Sequence, residues 1–235
     1  MRRTWVGILV LMLAVGYCAA AFGQDMAELR KKATAGDAEA QLMLGNKLAI
    51  GGPDIGRNLP EAAKWFRMAA DQGNTDAQLR LAMMYEGGFG VPANYKEAIS
   101  WYEKAALKGN TAAQQRLGFM YQTGTHAQAD LGTAIRWYRM AADAGVTKAQ
   151  FQLGMLYEQG FQNNPPNYAE AMTWYRKAAD NGDADAEFAV GSLYQQGRGV
   201  KENLPEAIQW YQKAAKHGQV QAPIVLRNLG VSPQS

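Results

Sequence analysis

The sequence predicts an all-α solenoid of five helix pairs, and three observations predict it. A block recurs as WFRMAADQG at Trp65, WYEKAALKG at Trp101, WYRMAADAG at Trp137, WYRKAADNG at Trp174 and WYQKAAKHG at Trp210. The Trp positions differ by 36, 36, 37 and 36 residues, a period at which one supersecondary unit is copied because it cannot bury its apolar face alone. Polar residues suited to helix starts precede each block, and a glycine suited to a helix end follows it.

The chain opens with MRRTWVGILVLMLAVGYCAAAFGQ. Arg2 and Arg3, the apolar run from Trp5 to Val15 and the small residues after it read as a signal peptide over residues 1–23, cleaved after Ala19-Ala20-Ala21 or Ala21-Phe22-Gly23. The apolar run is shorter than the roughly 20 residues of a membrane span; an uncleaved anchor is the alternative, as is twin-arginine export from Arg2-Arg3. Cys18 is the sole cysteine and lies inside this segment, with Tyr17 where a lipidation signal wants a small residue. The mature chain is therefore expected to lack thiols and to be held by packing alone. It is expected in the periplasm or outside the cell, with no membrane insertion after cleavage. Loss of Arg2 and Arg3 leaves its charges nearly balanced, from 24 basic against 21 acidic residues, which argues against a nucleic-acid partner.

Residues 24–35 form a leading cap: DMAELRKKATAG matches the end of a repeat helix but carries Glu28 where Trp stands elsewhere. The five repeats then occupy 36–72, 73–108, 109–144, 145–181 and 182–218.

The first helix of each pair, helix A, starts after Gly36, Gly73, Gly109, Gly145 or Gly182, at Asp37, Asn74, Asn110 and Asp183 in four copies. Its core pattern is Ala40, Leu44, Gly45, repeated as Ala77, Leu81, Ala82, as Ala113, Leu117, Gly118, as Ala149, Leu153, Gly154 and as Ala186, Val190, Gly191. A small residue at mid-helix lowers propensity by up to about 1 kcal/mol and predicts a close helix crossing. The helix ends at Tyr85, Tyr121, Tyr157 or Tyr194, followed by glycine-bearing loops, of which GTHAQADLG and GFQNNPPNY depart from the GGFGVPANY form.

Helix B starts seven residues before each Trp, at Asn58, Asn94, Asp130, Asn167 and Asn203, with Glu61, Glu97, Glu170 and Glu206 three residues on and Thr133 as the exception. This pattern satisfies backbone donors at both levels of the first turn. Ala98, Trp101, Tyr102, Ala105 and Ala106 fall on one face. The Trp ladder is expected in the core, so that Trp137→Ala would cost about 3–5 kcal/mol. Residues 219–235 supply a closing helix and tail, with Arg227 in place of the small crossing residue.

No catalytic constellation, metal site or cofactor motif emerges: G-x-S-x-G, S-x-x-K, H-E-x-x-H and G-x-x-x-x-G-K are absent. His126 and His217 are the only histidines and read as exposed loop and helix-end residues. The loop glycines follow helices rather than strands and serve tight turns.

The positions that vary while the frame stays fixed are more informative. Arg80 and Met83, Arg116 and Phe119, and Gln152 and Met155 lie three apart on helix A, off the core stripe. They are candidate partner-binding residues: the guanidinium groups would pair with carboxylates, and Met and Phe would fill pockets, so acidic-apolar segments are the expected ligands. The competing reading packs Met83, Phe119 and Met155 against the next repeat.

The combination of A..xLG..Y, the loop G.GV and EAI.WY.KAA..G resembles the Sel1-like repeat, a relative of the tetratricopeptide repeat with a longer internal loop. The resemblance covers Gly36 to Gly218. It implies a right-handed superhelix that serves as a protein-interaction scaffold, in exported bacterial members associated with envelope signalling, surface assembly and host contact. One cysteine-rich branch is linked to β-lactam binding or hydrolysis, and the mature chain lacks the cysteines that mark it. The expectation is a non-enzymatic scaffold or regulatory adaptor binding another envelope protein or peptide segment; a hydrolase of β-lactam or peptidoglycan-related substrates and a structural envelope component are the alternatives.

Overall fold

A computed structural model describes residues 26–52, 55–161 and 164–232; the expected leader lies outside them. All regular structure among the described residues is helical: α1 (26–34), α2 (Ala38–Ile50), α3 (Leu59–Asp71), α4 (Thr75–Gly87), α5 (Tyr95–Leu107), α6 (Thr111–Thr123), α7 (Leu131–Asp143), α8 (Thr147–Gln159), α9 (Tyr168–Asp180), α10 (Ala184–Gln196), α11 (Leu204–Lys216) and α12 (Ala222–Asn228). The chain forms two compact units, one through Asn110 and one from Thr111. In the first, α2 packs on α3 and α4 on α5; in the second, α6 on α7, α8 on α9 and α10 on α11, with α12 against α11.

Both helix boundaries follow from local chemistry. Asn58, Asn94, Asn167 and Asn203 accept from the amides of Glu61, Glu97, Glu170 and Glu206, and Asp130 accepts from Thr133. Those bonds satisfy amides that an α-helix leaves without an internal partner. The bond from the Thr133 hydroxyl, with the Thr133 amide, holds the Asp130 carboxyl below its ordinary value. At the start of helix A, Asp37, Asn74 and Asp183 cap in the same way, whereas Val146 has no side-chain cap. The glycine after each helix B takes the left-handed conformation, as at Gly73 (φ +89°) and Gly182 (φ +81°).

The small residue of helix A does something more specific than bring two helices close. A Cβ on Gly45 would lie 2.6 Å from the Phe66 ring, on Gly118 2.7 Å from Tyr138, on Gly154 2.4 Å from Tyr175 and on Gly191 2.9 Å from Tyr211. In four of the five copies the glycine is a notch that receives the aromatic residue following Trp; the second copy has Ala82 there. The rings that follow Trp lie deep in the fold: Tyr102, Tyr175, Tyr211 and Phe66 are each at most 2% exposed, and Tyr138 3%. The Trp ladder is less uniform than expected. Trp101, Trp174 and Trp210 are buried, but Trp65 and Trp137 are half-buried, so the full core cost predicted for Trp137→Ala belongs to the neighbouring ring instead.

Cations cover the buried tryptophans. Arg67 lies 5.3 Å from the Trp101 ring and bonds Tyr85, and Arg139 lies 6.0 Å from Trp174 and bonds Tyr157. Lys104, Lys177 and Lys213 sit over Trp101, Trp174 and Trp210 at 3.6, 3.9 and 4.1 Å.

In three copies a buried glutamine locks helix A to the end of the helix B before it. Gln41, Gln78 and Gln150 donate to the Ala33, Ala70 and Ala142 carbonyls at 3.0–3.1 Å, which also accept from the amides of Gly36, Gly73 and Gly145. Gln41 and Gln150 accept in turn from Gln72 and Asn181. The fifth copy replaces this pair: Glu187, 2% exposed, meets His217 Nδ1 at 2.9 Å. His217→Ala strips a buried carboxylate of that partner and is expected to cost about 1–3 kcal/mol in urea denaturation. Glu187→Gln with His217→Asn recreates the pair of the fourth copy and should return the midpoint to wild type.

Candidate interaction surface

The six sequence-predicted residues divide between the units. In the first, Arg80 and Met83 project from one side of α4, Met83 is 51% exposed, and the Arg80 guanidinium lies 6.0 Å from the Phe66 ring. In the second, Arg116 lies 5.3 Å from the Phe119 ring on α6, and Phe119 is 42% exposed. An aromatic ring open to solvent beside a guanidinium is a surface element rather than core filling. On α8, Gln152 and Met155 are half-buried, and Met155 packs against the core cluster of this unit. Met155 thus packs in part as the competing core reading has it, while about half of Met83 and of Phe119 stays exposed.

The sequence reading missed a second feature, a cleft of about 440 Å³ between α8 and α10. Phe151 and Met155 of α8 and Phe188 and Ala189 of α10 supply its apolar lining, and Glu158 and Asp185 are the acidic residues of that lining. Helix spacing explains the first wall, because Phe151, Met155 and Glu158 fall at i, i+4 and i+7 on one face. Phe151 leans on Tyr175 at 5.6 Å and Phe188 on Tyr211 at 5.1 Å, so the walls are braced by the same tyrosines that fill the glycine notches. The available sequence signal was Ala189, which stands where Met43, Arg80, Arg116 and Gln152 stand in the other copies.

The titratable groups near this surface are structural. Burial pushes the Tyr138 phenol up to about 12, and its hydroxyl donates to Gln122 Oε1 at 2.8 Å. Burial, reinforced by the Glu158 carboxylate, raises the Tyr175 phenol as well, and that hydroxyl donates to Glu158 at 2.7 Å. Both phenols are neutral donors at ordinary pH. His126 and His217 are exposed at separate places; His126, φ +67°, occupies the loop position held by Gly90 and Gly199 in two other copies. Among the described residues no group of three or more His, Cys, Asp and Glu could hold a metal ion, and no helix is long and apolar enough to cross a membrane.

The Sel1 repeat family model matches the chain five times, over residues 38–74, 75–110, 111–146, 147–183 and 184–219. Among solved structures, the chain is similar to a protective antigen present in uropathogenic Escherichia coli strains that displays an SLR fold, with 37% identity over 88% of this chain and a TM-score of 0.78. It is also similar to a Sel1 repeat protein from Oxalobacter formigenes, with 34% identity over 86% of this chain and a TM-score of 0.67. The chain spans 45% and 57% of the length of those two proteins. No curated protein sequence matches it.

Proposed function

Because the chain belongs to the Sel1 repeat family, whose repeats generally mediate protein–protein interaction, we propose that it is a non-enzymatic scaffold or adaptor of the bacterial envelope. It is exported on its N-terminal leader and holds a segment of another envelope protein on the helix-A surface of its second unit. The observation that carries this reading is the exposed Phe119 ring beside the half-buried Arg116 on α6; in the first unit, Arg80 and Met83 are both exposed on α4. A guanidinium beside an exposed apolar side chain supplies both elements of peptide recognition: a directional charge for a carboxylate and a surface to be desolvated. Gln152 and Met155 continue the same positions on α8, with less of Met155 offered to a ligand. Support for export is the order of Arg2, Arg3, the apolar run and the small residues.

Photocrosslinking tests the proposal. The chain carries p-benzoylphenylalanine at Phe119 in one strain and at the exposed Arg136 of α7 in another. The expected result is a discrete adduct with one envelope polypeptide from position 119 and none from position 136. Equal adducts at both positions, or none at 119, would overturn the assignment of the helix-A face.

A further inference from the structure

Building on that reading, we propose that the cleft between α8 and α10 is a second recognition site, which takes an arginine or lysine side chain from the bound polypeptide. Where the other helix-A copies carry Met43, Arg80, Arg116 and Gln152, α10 carries the small Ala189, which lines the cleft together with Phe151 and Met155 of α8. The cleft, about 440 Å³, is broad and open to solvent, so a side chain can enter it from outside.

Charge selects the occupant. The charged residues that line the cleft, Glu158 and Asp185, are both acidic, and none of the lining residues is basic. Glu158 is held in place by the Tyr175 hydroxyl, and Asp185 accepts from Gln219 at 3.3 Å, so both carboxylates are oriented before a ligand arrives. The walls present Phe151 and Phe188 with the Met155 thioether. A long basic side chain matches both parts: its methylene stem lies along the aromatic and thioether walls while its cationic head reaches the carboxylates. An acidic side chain would meet two like charges. Within the second unit, Arg116 on α6 and these carboxylates on α8 and α10 thus ask for opposite charges, and the preferred ligand is a segment that carries both.

The test uses fluorescence anisotropy with the purified protein and a short labelled peptide alternating leucine and arginine, beside counterparts with glutamine or glutamate in place of arginine. The arginine peptide is expected to bind about tenfold more tightly than the glutamine peptide, and the glutamate peptide more weakly still. Ala189→Gln, which restores the residue of the fourth copy, and Asp185→Lys should each lower arginine-peptide affinity about tenfold or more, at an unchanged melting temperature. Arg136→Ala, at an exposed position of α7 away from both surfaces, should leave it intact. Equal binding of the arginine and glutamine peptides, or affinity that survives both Ala189→Gln and Asp185→Lys, overturns the cleft assignment. If the position-119 adduct still forms in that case, the scaffold reading stands without the cleft; if that adduct is also missing, both fail together.

Discussion

Tyr175→Ala is expected to lower the stability of the chain by about 3–5 kcal/mol, the range for removing a buried aromatic ring. Tyr175 is 1% exposed, its ring fills the notch at Gly154, its hydroxyl holds Glu158, and it braces Phe151. Against a total of about 5–15 kcal/mol typical of a domain, that loss is a large fraction. In a repeat array each unit leans only on its neighbours, so urea unfolding should also become less cooperative. Gly154→Leu attacks the same contact from the other side and should cost about 1–3 kcal/mol or more, since its Cβ alone would lie 2.4 Å from the ring. Gly154→Ala should be milder, because the second copy already carries Ala82 at that position. Trp137→Ala should cost less than Tyr175→Ala, because Trp137 is only half-buried. Superimposable denaturation curves for Tyr175→Ala and wild type would remove the notch from the account of stability.

The comparison of tryptophan with tyrosine shows what the sequence carried. The caps were legible residue by residue, since Asn58, Asn94 and Asn203 act on amides three positions away and need no tertiary information. The apolar face of helix B was legible from its period. The depth ranking within that face was not: which of two adjacent aromatics enters the notch depends on the direction of the facing helix. The glycines at 118 and 154 were read as sites of close crossing, but their partner, a single ring, is set by tertiary placement. The sequence reading passed over Glu187, a carboxylate at a position that is otherwise glutamine, although its pairing with His217, 30 residues on, could have been inferred from the spacing of Gln150 and Asn181. The cleft was beyond a sequence reading because it consists of space, lined by Ala189 only once α8 and α10 lie side by side.

On the surface, the single change expected to act most strongly is the charge reversal and truncation Arg116→Glu with Phe119→Ala. Removing the ring takes away the desolvated contact, and reversing the guanidinium places a like charge against an acidic ligand, so binding of a labelled acidic-leucine peptide should weaken about a hundredfold, or roughly 3 kcal/mol. Phe119 is 42% exposed and Arg116 half-buried at the surface of α6, so the fold should be little affected.

The measurement that bears most directly on the scaffold claim is therefore paired: anisotropy titration of that acidic-leucine peptide against wild type and the Arg116→Glu/Phe119→Ala variant, with thermal melts of both followed by circular dichroism. The account predicts saturable binding by wild type, loss of binding in the variant, and coincident melts. Undiminished binding in the variant would contradict it, as would a collapse of the melting temperature showing that Phe119 belongs to the core.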